Sequence, residues 1–155
     1  MASRNRSQVD SRLGKSVPDR TVAVAQVRAI YADLARRPVE RACEARTECC
    51  QFRLTGRVPV LTAGEAVVLA QALRATGRTR LPHREDGACP MLDQSGRCLT
   101  YEARPFGCRT HFCSAAGGPY ARREVLDLIR RLEDVDRSLS GDGSHPLDSA
   151  VRRYL

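Results

Sequence analysis

The sequence predicts a mainly α fold: a small helical domain with a long irregular cysteine-rich segment and a short β-hairpin. Three observations lead there. Apolar residues recur at helical spacing in separate stretches bounded by capping residues. The segment from Arg78 to Gly118 carries no such period, and every one of the 7 cysteines falls between Cys43 and Cys113.

At 155 residues the chain is one domain by length. Residues 1–17 are polar and read as a disordered tail. That leaves 18–155 as a single domain with a cysteine-cluster core at 43–113. In "SVPDRTVAVAQVRAIYADLARRP", Ser16 or Asp19 is the candidate N-cap, and Val22, Val27, Ile30, Tyr31 and Leu34 share a helical face that Pro38 ends. "FRLTGRVPVLT" is expected to hold a short strand on either side of Gly56. Thr62 to Glu65, "TAGE", has the form of a capping box, with the helix running on toward Gly77, so Glu65 reads as structural. In the irregular segment, "DQSG" is a turn signal that would fold Cys89 and Cys98 toward each other. Beyond it, Pro119 opens a third helix, "YARREVLDLIRRLEDVDRSL", whose Val125, Leu128, Leu132 and Val135 face the core up to Gly141. "HPLDSAVRRYL" forms a short terminal helix with Pro146 near its start.

Composition narrows the function classes. An odd number of cysteines cannot all pair within one chain, and "MASRNRSQVDSRLGKSVP" has no apolar run that would serve as a signal-peptide core. A cytoplasmic, reducing location is therefore expected, where dense cysteine points to metal binding. The net charge of +8 invites a nucleic-acid partner, but Lys15 is the lone lysine and the arginines are scattered without interleaved aromatics. Nucleic acid is disfavoured, no stretch has membrane length, and an unidentified protein partner stays open.

Written as spacings, the thiols run C-x5-C-C, then 38 residues, then C-x8-C-x9-C-x4-C, which matches neither a zinc knuckle nor a regular ferredoxin run. Thiolate is a soft ligand suited to zinc, copper(I) and iron–sulfur clusters, and four complete a closed site. The candidate ligands are Cys43, Cys49, Cys50, Cys89, Cys98, Cys108 and Cys113. Adjacent side chains such as Cys49 and Cys50 point apart in an extended chain, so both reach one metal only if the backbone turns between them. His111 could ligate or stand behind a ligand, although the cysteines alone suffice. Pro105 restricts Arg104 to an extended conformation, and Arg104 and Arg109 could donate hydrogen bonds to sulfur. Tyr101 reads as packing.

Cys43, Cys49 and Cys50, then Leu61, Thr62 and Glu65, then Cys89, Pro90, Leu92, Gly96, Cys98, Tyr101, Arg104, Pro105, Cys108 and Arg109 follow a recognisable order. The stretch from Cys43 to Cys113 resembles the YkgJ-type cysteine-cluster family of zinc- or iron-chelating domains. The family's second cysteine would fall at Arg46, so either that position is dispensable or Cys113 takes its place. The resemblance implies a metal site and leaves the metal open between zinc and iron.

The leading expectation is a cytoplasmic metal-binding protein holding an iron–sulfur cluster, with 4Fe–4S favoured, or zinc, in a redox or accessory role. Excess thiols and arginines near sulfur tilt the choice toward the cluster. The alternative is a methyltransferase-like or oxidoreductase enzyme, since the cluster is similar to that of flagellin lysine methylases. Against it, no Gly-rich strand-to-helix turn for a nucleoside and no radical-type triple-cysteine spacing occur. Cys108 with His111 offers a nucleophile and base, without an identifiable orienting residue.

Overall fold

The structure, a computed structural model, describes residues 19–38, 41–43 and 47–155. The tail, Ser16 and Arg46 therefore lie outside the described residues. Helix α1 spans Arg20–Ala35 and starts where the Asp19 carboxylate accepts from the Thr21 and Val22 amides. Its buried face is Ala23, Val24, Val27, Ile30, Tyr31 and Leu34. Val22 does not join that face and is 52% exposed. Five residues before Val27, it stands about 140° round the helix from it.

The expected hairpin around Gly56 does not form. The residues before it make a short helix, α2 (Phe52–Thr55), which Gly56 ends with φ +64° and an amide bond back to Phe52. Strand β1 (Val60–Leu61) pairs antiparallel with β2 (His145–Pro146), with Val60 opposite Pro146 and Leu61 opposite His145. The strand's partner thus comes from the far end of the chain, which local turn chemistry does not signal.

Helix α3 (Ala63–Ala75) is the centre of the fold. Ala66, Val67, Val68, Leu69, Ala70 and Leu73 are all buried, so the helix is enclosed on nearly every side. Val67 and Val68 join α1 and α5 (Leu126–Ser138) in one core, with Val125, Leu128, Leu132 and Val135. Leu61, Ala66, Leu69, Ala70 and Leu73 join a second core with α6 (Leu147–Arg152) and the cysteine-bearing segment, including Cys89, Met91 and Leu92. The cysteine segment therefore shares hydrophobic packing with a helix that also anchors the rest of the domain. Gly64 lets α1 and α5 approach the start of α3: a Cβ there would stand 2.8 Å from Val135 Cγ1 and 2.9 Å from Val27 Cγ2.

Two buried carboxylates tie the layers together. The expected capping box is formed, with the Thr62 side chain accepting from the Glu65 amide and the Thr62 amide donating to Glu65 Oε2 at 3.0 Å; the Thr62 hydroxyl also donates to Oε2 at 3.0 Å. Asp136, near the end of α5, accepts from the Ala63 amide at 2.7 Å and the Gly143 amide at 3.0 Å. It holds the start of α3 against the loop before β2.

The third helix starts later than its sequence suggests. Pro119 and Tyr120 lie outside it; the Tyr120 amide bonds to Thr110 O at 2.9 Å, and a 3-10 turn at Arg122–Glu124 precedes α5. The stop also comes early, with Leu139 as C-cap and Ser140 at φ 57° before Gly141. No helix among the described residues is long and apolar enough to cross a membrane.

Candidate metal centre

Four separate pieces of chain build the site. In the first, a 3-10 turn at Glu48–Cys50 follows Thr47, whose backbone is left-handed at φ 57°. The turn supplies the bend between Cys49 and Cys50 that an extended chain would lack.

The second piece is stitched to the first by backbone: the Cys89 amide donates to Cys50 O at 2.7 Å. From there the chain reverses at residues 93–96, where Asp93 Oδ1 accepts from the Ser95 amide and hydroxyl and from the Arg97 amide. Leu92 and Cys98 form an antiparallel bridge, and Leu99 N–H reaches Met91 O at 2.8 Å. The "DQSG" turn thus brings the chain back to place Cys98 opposite Leu92, on the segment that carries Cys89.

The third piece is helix α4 (Phe106–Thr110), which carries Cys108. The Phe106 amide donates to the buried Glu65 Oε1 at 2.7 Å, and Tyr31 Oη donates to the same oxygen at 3.3 Å. Burial pushes the Glu65 carboxyl up, while the bonds from the Thr62 and Phe106 amides and from the Thr62 and Tyr31 hydroxyls pull it back. Sequence reading marked Glu65 as structural; the structure adds that it positions α4.

The fourth piece holds Cys113 at the N-cap of a 3-10 turn, Ser114–Ala116, whose Ala116 and Gly118 amides bond to Cys113 O at 2.9 and 3.0 Å. Arg41 reaches this region as well, donating to Gly118 O at 2.9 Å with its guanidinium 4.4 Å from the Tyr120 ring centroid. That contact lays the segment bearing Cys43 against the turn.

These pieces enclose two adjoining cavities. The inner, of about 70 Å³, is lined by Cys43, Cys49, Cys50, Cys89, Cys98 and Cys108 together with His111, Arg57 and Arg104. The outer, of about 40 Å³, is lined by Cys43, Cys49, Cys113, His111 and Glu48. Cys89 is buried, Cys50, Cys98, Cys108 and Cys113 are half-buried, and Cys43 and Cys49 are exposed. Among the described residues, no disulfide joins any of the seven.

The thiols act on one another. Cys50 responds to Cys49 and Cys89 through hydrogen bonds; the Cys49 bond lowers it, but Cys89, burial and the charges of Cys89 and Cys98 raise it to about 12. Cys108 is pushed up to about 12 by burial and then by Cys50, Cys49 and Cys98, with Arg104 opposing. Cys49 is driven upward too, by its bond to Cys50 and by burial. Cys49, Cys50 and Cys108 therefore keep their protons when no cation is bound. Among the described residues, no three His, Cys, Asp or Glu side chains stand close enough to hold an ion as they lie. Binding would require the thiols to lose their protons and turn inward. The donor set suits such a group: soft sulfur from separate segments around a mostly apolar cavity fits zinc or an iron–sulfur cluster.

Arg104 has the expected extended backbone, φ −52° and ψ 136°, and lines the inner cavity. Its guanidinium stacks 3.6 Å from the Tyr101 ring centroid, and its Nε donates to Tyr101 O at 3.0 Å. Tyr101 is 38% exposed, so it serves as a platform and is not core packing. Arg109 turns elsewhere: it donates to Arg104 O at 2.7 Å and to Glu102 O, and lies 4.1 Å from the Tyr31 ring centroid. It braces the loop that presents Arg104. His111 faces both cavities, and Arg57 pairs with its Nδ1. Burial and the Arg57 charge lower the His111 pKa, so its ring is neutral near pH 7.

Arg57 is the site residue that sequence reading did not single out; it follows Gly56 without a spacing that would mark it. The apolar wall of Phe52, Leu69, Met91 and Leu147 was equally unmarked as cavity lining. Cys108 as a nucleophile finds no support here, because its thiol is raised where activation would require it lowered.

No curated protein and no solved structure matches the chain. The sequence pattern of the CxxCxxCC family, described as "Putative zinc- or iron-chelating domain", matches residues 41–128, a span containing all seven cysteines and more than half of the chain. With that extent of match joined to a pocket walled by thiols, the chain belongs to the CxxCxxCC zinc- or iron-chelating family.

Proposed function

We propose that the protein is a cytoplasmic metal-binding protein whose inner cavity holds an iron–sulfur cluster, of 4Fe–4S type, or zinc, in a redox or accessory role. The observation that carries this reading is the convergence of Cys50, Cys89, Cys98 and Cys108 from three segments onto one cavity. Four thiolates complete a closed site for either group. The bound group would supply electron transfer if a cluster and cross-linking of the irregular segment if zinc.

Two features favour the cluster. A cavity of about 70 Å³ exceeds the roughly 10–15 Å³ that one water-sized occupant needs. Arg104 sits on its wall, where a guanidinium offsets thiolate charge and can donate toward sulfur. Nothing in the lining favours methyl transfer over chelation.

Elemental analysis and a visible spectrum of protein purified without oxygen test the proposal. Iron with matching labile sulfide and a broad visible absorption are expected. A colourless protein with one tightly held zinc would replace the cluster by zinc, and protein free of either metal would overturn the reading.

A further inference from the structure

We propose that the face around the inner cavity docks a small acidic electron-carrier protein, through the exposed side chains of Leu54, Val58, Val60 and Tyr101 and the guanidinium groups beside them. The inference rests on the iron–sulfur reading of that cavity and names the class of partner that a redox role there requires.

Among the described residues five large hydrophobic side chains are exposed: Val22, Leu54, Val58, Val60 and Tyr101. A single one such as Val22 on α1 is ordinary on a protein surface. The other four belong to the segments that wall the inner cavity, which Phe52, Arg57, Pro59, Tyr101 and Arg104 line. Leu54 is 85% exposed near the end of α2, and residues 53–58 are exposed without interruption. Beyond them the side chains alternate. Pro59 lines the cavity, while Val58 and Val60 on either side of it face solvent at 45% and 53% exposure. A partner seated on those valines is one thickness of chain away from the group the cavity holds.

Charge decides the chemistry of that partner. Arg53 and Arg57 are exposed and Arg104 is half-buried, and among the described residues none of the three is paired with a carboxylate. The Arg53 side chain passes over Gly87, where a Cβ would meet its Cγ, Cδ and Nε at 3.1 Å, but the adjoining Asp86 is held by Arg84. A second copy of the chain would bring like charges together. Residues 1–17, with 4 Arg and Lys against 1 Asp, have the wrong sign to cover the face themselves. Nucleic acid has the right sign but is held through its phosphates, which gain nothing from four aliphatic and aromatic side chains. An acidic protein surface with an apolar centre matches both features. Redox complexes of this kind are small and transient, and opposite charge speeds their encounter. The transfer itself makes and breaks no bond: the reduced carrier gives up one electron and the cluster takes it up.

The test uses the full chain purified without oxygen, with two probes: a purified flavodoxin as the acidic carrier and a basic c-type cytochrome. Binding is read by fluorescence anisotropy of the labelled carrier, which needs no metal, and electron uptake by the change in visible absorption when reduced flavodoxin is added. Flavodoxin should bind and the cytochrome should not, with affinity falling steeply between about 0.01 and 0.15 M salt. L54S should weaken binding about tenfold and R53E about fivefold or more. V22S and R28E, both on α1, should leave it unchanged, and all four variants should keep the wild-type metal content. Cluster-loaded protein that ignores flavodoxin, or binds it equally well after L54S and R53E, overturns the docking face and leaves the metal reading standing. An equal loss in R28E would show a response to net charge alone and overturns it as well. Tighter binding of a fluorescein-labelled single-stranded oligonucleotide, lost in R53E, would reassign the face to nucleic acid. Zinc in place of the cluster, or no metal, removes the redox reading and this inference with it.

Discussion

Glu65 Oε1 accepts a hydrogen bond of 2.7 Å from the Phe106 amide, so one buried carboxylate joins the first turn of α3 to the first turn of α4. The same side chain closes the cap on Thr62 and receives the Tyr31 hydroxyl. Cys108 lies two residues beyond Phe106, which makes this carboxylate part of what places a thiol on the cavity wall. E65A leaves two backbone amides unpaired in the interior and should cost about 3 kcal/mol or more. Thermal unfolding should report that loss, and metal retention should fall with it because α4 is released. An unchanged melting temperature would show that α4 is held by other contacts.

Gly64 gives a second test of the packing account. G64A gains helix propensity of up to about 1 kcal/mol, yet its methyl would press on Val135 and Val27. Overpacking should win, with a net loss of about 1–3 kcal/mol. For a chain of this size that is a fall of roughly 2–4 °C in melting temperature per kcal/mol. Adding V135A to G64A should recover part of the loss, although V135A alone destabilises; simple additivity would contradict the clash.

The thiols set a pH dependence whose sign follows from their direction of shift. Cys50 and Cys108 are raised from 9.0 to about 12 in the metal-free fold. Their contribution to the metal-free fold is complete below pH 9 and is lost as pH rises toward 12. Metal-free protein should therefore melt at progressively lower temperature over that window. Metal-loaded protein should not, since its ligands are already thiolates. Conversely, metal uptake near neutral pH should release about one proton per coordinating thiol, detectable by calorimetry in buffers of different ionisation enthalpy.

Arg104 is expected to act on the bound group through charge and orientation. R104Q removes the guanidinium from the cavity wall and should weaken metal retention by about 10–100-fold. R104K keeps a charge but loses the planar stack on Tyr101 and should fall between R104Q and wild type. Equal retention in all three, measured by chelator competition, would assign Arg104 to the surface.

The parts of this protein that were legible in its sequence are those fixed by local chemistry. Asp19 caps α1, Thr62 and Glu65 form their box, and "DQSG" folds its hairpin, because each depends on residues within a few positions. The pairing of β1 with β2 joins residues 60–61 to 145–146, and no short-range pattern foretells it. The start of α5 was misplaced because Pro119 suits a first helical turn, whereas the Tyr120 amide is instead taken by Thr110 O. For the site, density singled out the cysteines, but their division between two cavities depends on the bend at Cys49 and Cys50 and on the Arg41 contact with Gly118. Arg57 reaches His111 from 54 positions away, a relationship that exists only in three dimensions.

The central claim is that sulfur from Cys50, Cys89, Cys98 and Cys108 surrounds a metal. X-ray absorption at the iron or zinc edge of protein purified without oxygen reads that shell directly. The account predicts sulfur scatterers at about 2.3 Å, reduced in number when Cys98 or Cys108 is replaced by serine. A first shell made of nitrogen and oxygen alone would contradict it.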